Sequence, residues 1–240
     1  MSRESTIPIL LYHKIGDPPR GARGPGHYVS PGLFRRHLSY LHRRGYQSIS
    51  LLEAVLRPPD LPARPVVITF DDGYRCLHEH ALPTLAEHGF AATVFVVTGG
   101  MGRVNYWEVA AGDVEEPMLG RMEIAEMQRA GLAFGSHTLN HPHLTALPAA
   151  EAVREITDSK KLLEETLGEP CRSFAYPYGD WNQQVRDLVA EAGYEAACTT
   201  VRAAARPSDD PLALPRLNIR RYNVTLRFAH KLWRAERARR

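Results

Sequence analysis

The chain has 240 residues, 44% of them hydrophobic, which suits a single α/β barrel domain with a sizeable core. The net charge of +3 comes largely from a basic C-terminal segment (Arg234, Arg237, Arg239 and Arg240) that is typical of a solvated helix end, so no nucleic-acid partner is predicted. Three cysteines without CxxC spacing argue against a disulfide framework. With no apolar run long enough for a signal peptide or a membrane span, a cytoplasmic location is predicted, with export as the alternative if this sequence lacks a signal that the natural chain has. The oligomeric state stays open.

Short apolar runs alternate along the chain with amphipathic helical patterns. Strands are predicted at residues 7–12, 47–50, 65–70, 91–97, 132–136, 172–176 and 195–199, and helices at residues 31–44, 51–56, 77–88, 121–130, 149–167 and 181–192. The strands show little polar alternation, as expected of a parallel sheet that is buried on both faces. One domain over residues 1–240 is predicted: a distorted (β/α) barrel of about seven parallel strands, with a basic helical tail from about residue 224. An open doubly wound sheet is the alternative, but no GxGxxG follows a strand.

Two adjacent carboxylates, Asp71 and Asp72, end the predicted strand at residues 65–70 in the motif TFDDGY. One of them could simply cap the next helix. Neighbouring carboxylates repel each other, however, and each raises the pKa of the other unless a positive group lies nearby. A metal bound by one carboxylate would remove this conflict and leave the other free to act as a base.

Two imidazoles that could complete such a site follow the predicted strand at residues 132–136. His137 and His141 stand at positions i and i+4 in SHTLNH, a spacing that reaches one metal if the segment makes a helical turn. HxxxH alone is a weak signal, but two imidazoles, a carboxylate and an open position are typical of a catalytic metal site. The neighbouring His143 is close enough to compete for the assignment.

The third motif, FAYPYG, ends the predicted strand at residues 172–176. Pro177 and Gly179 favour a plain turn, which needs no function. The functional interpretation is a pocket wall in which a backbone N–H faces a developing oxyanion.

TFDDGY, SHTLNH and the strand ending in YPYG resemble the motifs of the polysaccharide deacetylase family, carbohydrate esterase family 4, in sequence and in order, over about residues 7–221. The resemblance implies a distorted barrel with a groove across its C-terminal face. It implies a divalent metal, zinc before cobalt, nickel or iron, held by Asp72, His137 and His141. It also implies Asp71 as general base and the backbone N–H of Tyr178 as oxyanion donor, in a hydrolase that removes the N-acetyl group of an amino sugar or its polymer.

The chain departs from the usual family pattern at three places. Ala175 stands where many members have the arginine that orients the base, a later Asp-Trp motif is absent, and so is the C-terminal strand ending in the acid histidine. An apolar strand ending in histidine, PILLYH, stands at the N-terminus instead, as in the circularly permuted branch that includes poly-N-acetylglucosamine deacetylases. We therefore expect His13 to be the general acid, with a backbone-bonded strand-end histidine as the alternative. Arg216 is the candidate to replace the missing arginine, or else the partner of a surface carboxylate.

Aromatic side chains near these motifs are candidates for stacking on sugar rings. Substrate contacts are expected from Tyr176, Tyr178, Tyr106 and Trp107, and also from Pro177 and Arg216. Any of the aromatic residues could instead belong to the core, where Trp181 is expected.

Three other functions remain open from the sequence. The same framework could hydrolyse another amide or ester, such as a formamide on a lipid-linked sugar, a cyclic ureide or an O-acetyl group. The missing motifs also permit a non-catalytic carbohydrate-binding protein, and the metal could be structural.

Overall fold

The central feature of the computed structural model is a parallel sheet curled into a half-barrel. The structure describes residues 6–56 and 61–237, so Arg239 and Arg240 of the basic segment lie outside the described residues. The sheet runs in the order β10-β1-β5-β6-β7-β8-β9, and the short β4 pairs with the start of β5. Its strands are β1 (Ile9–Tyr12), β4 (Gln47–Ser48), β5 (Pro65–Phe70), β6 (Thr93–Val96), β7 (Ala133–Ser136), β8 (Ser173–Ala175), β9 (Ala196–Cys198) and β10 (Leu217–Asn218).

The central strands are apolar because both of their faces are buried. All six residues of β5 are buried, as are all four of β1 and β6. Their register aligns the strand ends: Tyr12 pairs with Phe70, and Val96 pairs with Ser136. His13, Asp71 and His137 therefore leave the sheet at its carboxyl edge, where catalytic groups of α/β barrels lie.

The two edges of the sheet are connected by the segment that leads into β10. Leu214 exchanges backbone hydrogen bonds with Ala197 and Thr199 at the β9 edge (2.9 Å each). Three residues later, Leu217 pairs with Leu10 of β1 at the opposite edge. Arg216 lies between these two contacts and so faces the inside of the barrel near β5. This crossing explains how a residue distant in sequence reaches the strand end at Asp71.

Helices cover the outside of the sheet, and several begin or end with recognisable caps. The Ser30 side chain accepts a hydrogen bond from the Leu33 N–H, and Gly168 ends a helix in the left-handed conformation. The helices are α1 (Pro31–Arg43), α2 (Leu51–Leu56), α3 (Leu82–His88), α4 (Tyr106–Ala110), α5 (Arg121–Arg129), α6 (Ala149–Leu167), α7 (Gln183–Glu191) and α8 (Thr225–Arg237). A small second sheet pairs β2 (Lys14–Ile15) with β3 (Tyr28–Val29).

The distorted barrel predicted from the sequence is confirmed, with local differences. The helix predicted from residue 77 begins as a π-helix over Leu77–Ala81, and the one predicted from residue 181 begins at Gln183, where Asn182 caps it. The predicted strand at residues 47–50 shortens to two residues. Helix α4 and strand β10 were not predicted, because both are too short to show periodicity.

The basic C-terminal segment forms an amphipathic helix whose apolar side belongs to the main core. Phe228, Leu232 and Ala235 of α8 are buried and share a cluster with residues of α1. None of the described helices has the length and apolar character that a membrane crossing requires.

Candidate metal centre and surrounding cleft

Asp72, His137 and His141 converge at the carboxyl edge of β5 and β7. Each is buried, and their candidate ligand atoms lie within 4.8 Å of one another. Asp72 Oδ1 lies 3.4 Å from His137 Nε2 and 3.3 Å from His141 Nε2. Among the residues that the structure describes, no other three His, Cys, Asp or Glu side chains meet this closely. The sequence-predicted ligand set is therefore brought together in space.

Each of the two imidazoles has a ring nitrogen available to bind a cation. His137 Nδ1 donates to the Ala175 carbonyl over 2.7 Å, which leaves Nε2 unprotonated in the neutral ring and able to bind a metal. His141 Nδ1 is buried and has no hydrogen-bond partner within the described part of the chain. One carboxylate with two imidazoles is a donor set that suits zinc and similar divalent ions, so the residues present fit such a group.

The charge distribution also favours a cation here. Burial by itself would raise the pKa of Asp72, but hydrogen bonds to His137 and His141 outweigh it and hold that pKa well below its usual value. Burial lowers the pKa of His137, yet the neighbouring Asp72 and Asp71 carboxylates raise it above its ordinary value overall. The site thus carries a buried anionic carboxylate whose charge attracts protons or a metal onto the imidazoles.

Several residues at this edge have strained, left-handed backbone conformations. Asp72, Thr138, His141 and Tyr178 have φ values of +73°, +67°, +61° and +61°, and they are the non-glycine residues with positive φ in the described ranges. Such conformations cost about 1–3 kcal/mol each and persist where the surroundings enforce them, most often at functional sites. The two histidines therefore converge without the helical turn that would also bring residues i and i+4 together. The Thr138 hydroxyl instead accepts a bond from the His141 N–H over 2.9 Å.

Asp71, the second carboxylate of TFDDGY, is held by Arg216. Arg216 Nη1 and Nη2 donate to the two carboxylate oxygens over 2.7 Å each, and Arg216 Nε donates to the Thr199 carbonyl over 2.9 Å. Burial would raise the pKa of Asp71, but the guanidinium outweighs it and lowers that pKa. Asp71 is therefore ionised and fixed in orientation. Since Arg216 is fully buried, the prediction that it contacts substrate is wrong.

His13 lies in the same cleft, stacked on a residue that the sequence did not single out. Its ring is 4.4 Å from that of His27, with 19° between the planes, and its Nδ1 is buried without a partner in the described structure. Burial, and then the nearby His27, lower the pKa of His13 to about 3, so the ring is neutral. His27 follows a loop rich in Gly, Pro and Arg, and no pattern in the sequence marks it.

The third motif forms a tight turn at the mouth of the cleft. A Cβ on Gly179 would collide with the Thr200 side chain, so only glycine fits there. Tyr178 is 52% exposed and stacks face to face on His143 with ring centres 3.9 Å apart. His143 also lies 3.3 Å from an Asp180 carboxylate oxygen and is not part of the three-residue metal group.

Four of the residues proposed to contact substrate fall into two pairs, one buried and one partly exposed. Tyr176 is fully buried and its hydroxyl donates to the Leu212 carbonyl over 2.8 Å, and Pro177 is buried beside it. The predictions that these two contact a sugar are wrong, because no surface is available. Trp107 stacks on His141 at 5.2 Å, and Tyr106 donates to the Asn140 side-chain oxygen over 2.7 Å. Both are half-buried on α4 beside the metal ligands.

The metal-site residues Asp72, His137 and His141 line a cleft of about 290 Å³ together with Asp71, His13, His27 and Tyr178. Glu108 enters it from α4 and accepts hydrogen bonds from Lys14, Tyr74 and Asn105 over 2.7–2.9 Å. Sequence reasoning missed Glu108 because α4 was not predicted. It also missed the polar groups of the far wall, which come from loops around β9 and β10: Thr200, Arg202, Asn218 and Arg220.

Comparison with known proteins gives a consistent result. A family model described as polysaccharide deacetylase matches residues 59–197. The poly-beta-1,6-N-acetyl-D-glucosamine N-deacetylase of Staphylococcus aureus is 26% identical over 202 residues, covering 80% of this chain and 67% of that protein. The structure of Streptococcus pyogenes deacetylase PplD in complex with acetate is similar with a TM-score of 0.83 and 26% identity, covering 98% of this chain and 100% of that one. IcaB from Ammonifex degensii gives 0.81 and 25%, covering 95% and 97%.

Proposed function

The chain belongs to the polysaccharide deacetylase family, and we propose that it removes N-acetyl groups from a polymer of β-1,6-linked N-acetylglucosamine with the help of zinc. The observation that carries this proposal is the juxtaposition of an Asp-His-His ligand set with an independently held, ionised Asp71. A structural metal would need no such base beside it. The substrate is proposed from the similarity to the Staphylococcus aureus deacetylase.

The residues of the cleft divide the chemistry between them. A divalent ion held by Asp72, His137 and His141 would supply Lewis acidity, which polarises an acyl carbonyl and acidifies water. Asp71 takes a proton from the attacking water, because Arg216 keeps it ionised and oriented. The Tyr178 N–H donates to the oxyanion that develops on the acetyl carbonyl.

His13 completes the reaction by protonating the departing amine. Because its ring is neutral in the free site, the proton that it delivers has to be gained during turnover. Asp71 is the source in this mechanism, since it follows β5 directly beside the β1 strand that ends at His13, and it has just taken a proton from water. Water thus loses one proton, the amine gains one, and acetate leaves.

The test is acetate release from poly-β-1,6-N-acetylglucosamine by protein loaded with zinc, cobalt or nickel. Release should require metal and fall by about 10²–10⁴-fold in Asp71→Asn and in His13→Ala, the range expected for loss of a general base or acid. His42→Ala is the control, since His42 is an exposed histidine of α1 that does not line the cleft, and it should keep activity within a few-fold. Near-wild-type turnover by His13→Ala would contradict the role of His13, and metal-independent release would contradict the mechanism.

A further inference from the structure

A second cavity, of about 480 Å³, opens beside the catalytic cleft between α8 and the loops around β9 and β10. Arg202 and Asn218 line both spaces, so the two are adjacent. Arg227, Lys231 and Arg234 line the cavity from α8, at positions i, i+4 and i+7 of one helix face. Arg202 faces them from the other wall. None of the residues assigned to the deacetylation chemistry lines this second cavity.

The cavity concentrates positive charge that nothing in the described structure neutralises. No Asp or Glu lines it, and none of its four cations forms an ion pair within residues 6–56 and 61–237. The one acidic residue of α8, Glu236, lies away from the cavity and bonds Tyr46 instead. Lys231 donates only to neutral oxygens, those of Asn218 and Asn223. Burial, followed by the nearby cations Arg202 and Arg220, lowers the pKa of Lys231. The fold therefore keeps these cations close together although their positive charges repel one another.

We propose that this cavity binds a phosphoryl group carried by the acetylated sugar substrate. The proposal rests on the proposed deacetylase function and adds to it a substrate class, an N-acetylated amino sugar bearing a phosphate or phosphodiester. A single carboxylate would be satisfied by one guanidinium, whereas three arginines and a lysine match a multiply charged phosphoryl or diphosphoryl group. The shared Arg202 and Asn218 would place that group next to the sugar in the cleft.

Direct binding tests the cavity without depending on activity. Inorganic pyrophosphate is titrated calorimetrically into the full chain, into Arg227→Gln/Arg234→Gln, and into Arg129→Gln/Arg237→Gln. All four arginines are exposed, and the second pair removes the same amount of charge from residues that do not line the cavity. The proposal expects saturable binding that weakens at least 10-fold in the first variant and less than 3-fold in the second. No binding by the unmodified chain, or equal weakening in both variants, overturns it.

Kinetics then tests the connection with substrate. Acetate release is compared for an N-acetylglucosamine oligosaccharide with and without a terminal phosphate. The phosphorylated form should have a KM at least 10-fold lower, and Arg227→Gln/Arg234→Gln should abolish this difference while leaving kcat and KM for the neutral form unchanged. Equal KM values overturn the proposal even if pyrophosphate binds.

Two further results bear on the cavity, absence of acetate release and binding to lipid. If neither oligosaccharide releases acetate, the proposed function fails. The Kd of each oligosaccharide is then measured by calorimetry in place of its KM. Tighter binding of the phosphorylated form than of the neutral form then still supports the cavity, and equal binding overturns it. If the chain binds phosphatidylglycerol vesicles through Arg227 and Arg234 but not soluble pyrophosphate, the cations serve a lipid surface and the proposal is overturned.

Discussion

Asp71 and Asp72 are adjacent in sequence but have different partners. Asp72 lies against His137 and His141, whereas Asp71 accepts hydrogen bonds from both terminal nitrogens of Arg216. The repulsion between neighbouring carboxylates is thus balanced by a guanidinium on one side and by the imidazole site on the other. Each carboxylate can then serve a separate purpose, one as ligand and one as base.

Removing the guanidinium should impair the base without removing the metal. We expect Arg216→Gln to lower kcat/KM about 10²-fold, because a base displaced by about 1 Å loses activity on that scale. Arg216→Lys keeps the charge but not the two parallel hydrogen bonds, so its kcat/KM should lie between those of the wild type and Arg216→Gln. Metal content, measured by elemental analysis, should match the wild type in both variants. Wild-type kcat/KM in Arg216→Gln would contradict the positioning role.

At the level of single residues, the sequence predicted which side chains converge as candidate metal ligands and little of their surroundings. TFDDGY and SHTLNH were sufficient for the ligand set, because strand ends of a parallel barrel meet at one edge. Arg216 was named as the replacement for the missing arginine but was also given a substrate contact, since no sequence pattern shows that it is buried. His27 and Glu108 carry no motif, and their place in the cleft depends on loop conformation.

At the scale of elements, His37 connects three parts of the fold. Its Nε2 donates to the Asn223 carbonyl before α8 over 2.6 Å, and its Nδ1 accepts from the Tyr12 hydroxyl of β1 over 3.1 Å. The ring also stacks on Phe228 with centres 4.1 Å apart. Burial lowers the pKa of His37 to about 4, so the ring is neutral in the folded protein.

This histidine should make folding sensitive to mild acid. Between pH 6.5 and 4 the unfolded chain protonates His37 and the folded chain does not, so stability is full above pH 6.5 and falls as the pH falls. The loss attributable to His37 at pH 5 is about 2 kcal/mol. Urea unfolding at pH 7.5 and pH 5 gives the difference in the free energy of unfolding between the two pH values. In His37→Gln this difference should be smaller than in the wild type by about 2 kcal/mol. His42→Gln, an exposed histidine on the same helix, should retain the difference. An unchanged difference in His37→Gln would contradict the assignment.

The elements that the sequence missed share a physical cause. Strand β10 has two residues and α4 has five, so neither is long enough for a hydrophobic pattern to repeat. Longer elements such as α6 were predicted with their bounds, because 19 residues of amphipathic pattern end at a capping glycine. The short elements are stabilised by tertiary contacts, which a single sequence does not display.

At the scale of the whole molecule, α8 is part of the folded unit. Phe228 is fully buried and belongs to the main core, although it lies in the basic segment that composition alone describes as solvated. Charged and apolar residues alternate there with helical periodicity, so one side packs on α1 and the other carries the cations.

Removing that aromatic ring should destabilise the whole protein. Phe228→Ala is expected to lower the free energy of unfolding by about 3–5 kcal/mol, the range for a buried phenylalanine, as measured by urea denaturation. Leu226→Ala on the same helix, where the side chain is 83% exposed, should change it by less than about 0.5 kcal/mol. Equal effects of the two substitutions would show that α8 does not contribute to the core.

The barrel itself follows from the alternation of strands and helices, but its closure does not. The segment from Leu214 to Asn218 joins the β9 edge to β1 and brings Arg216 to Asp71, and it contains too few strand residues to be predicted. The catalytic edge is thus assembled from residues that are far apart in the chain.

In the proposed site, Asp72, His137 and His141 hold one divalent ion beside a separate base, Asp71. Zinc binding to the purified chain, with Asp72→Ala and Asp71→Asn beside it, tests this claim directly by calorimetry and elemental analysis. We expect one zinc ion per chain in the wild type and in Asp71→Asn, and loss of that ion in Asp72→Ala. Zinc retained by Asp72→Ala, or lost equally from both variants, would contradict the assignment of the two carboxylates.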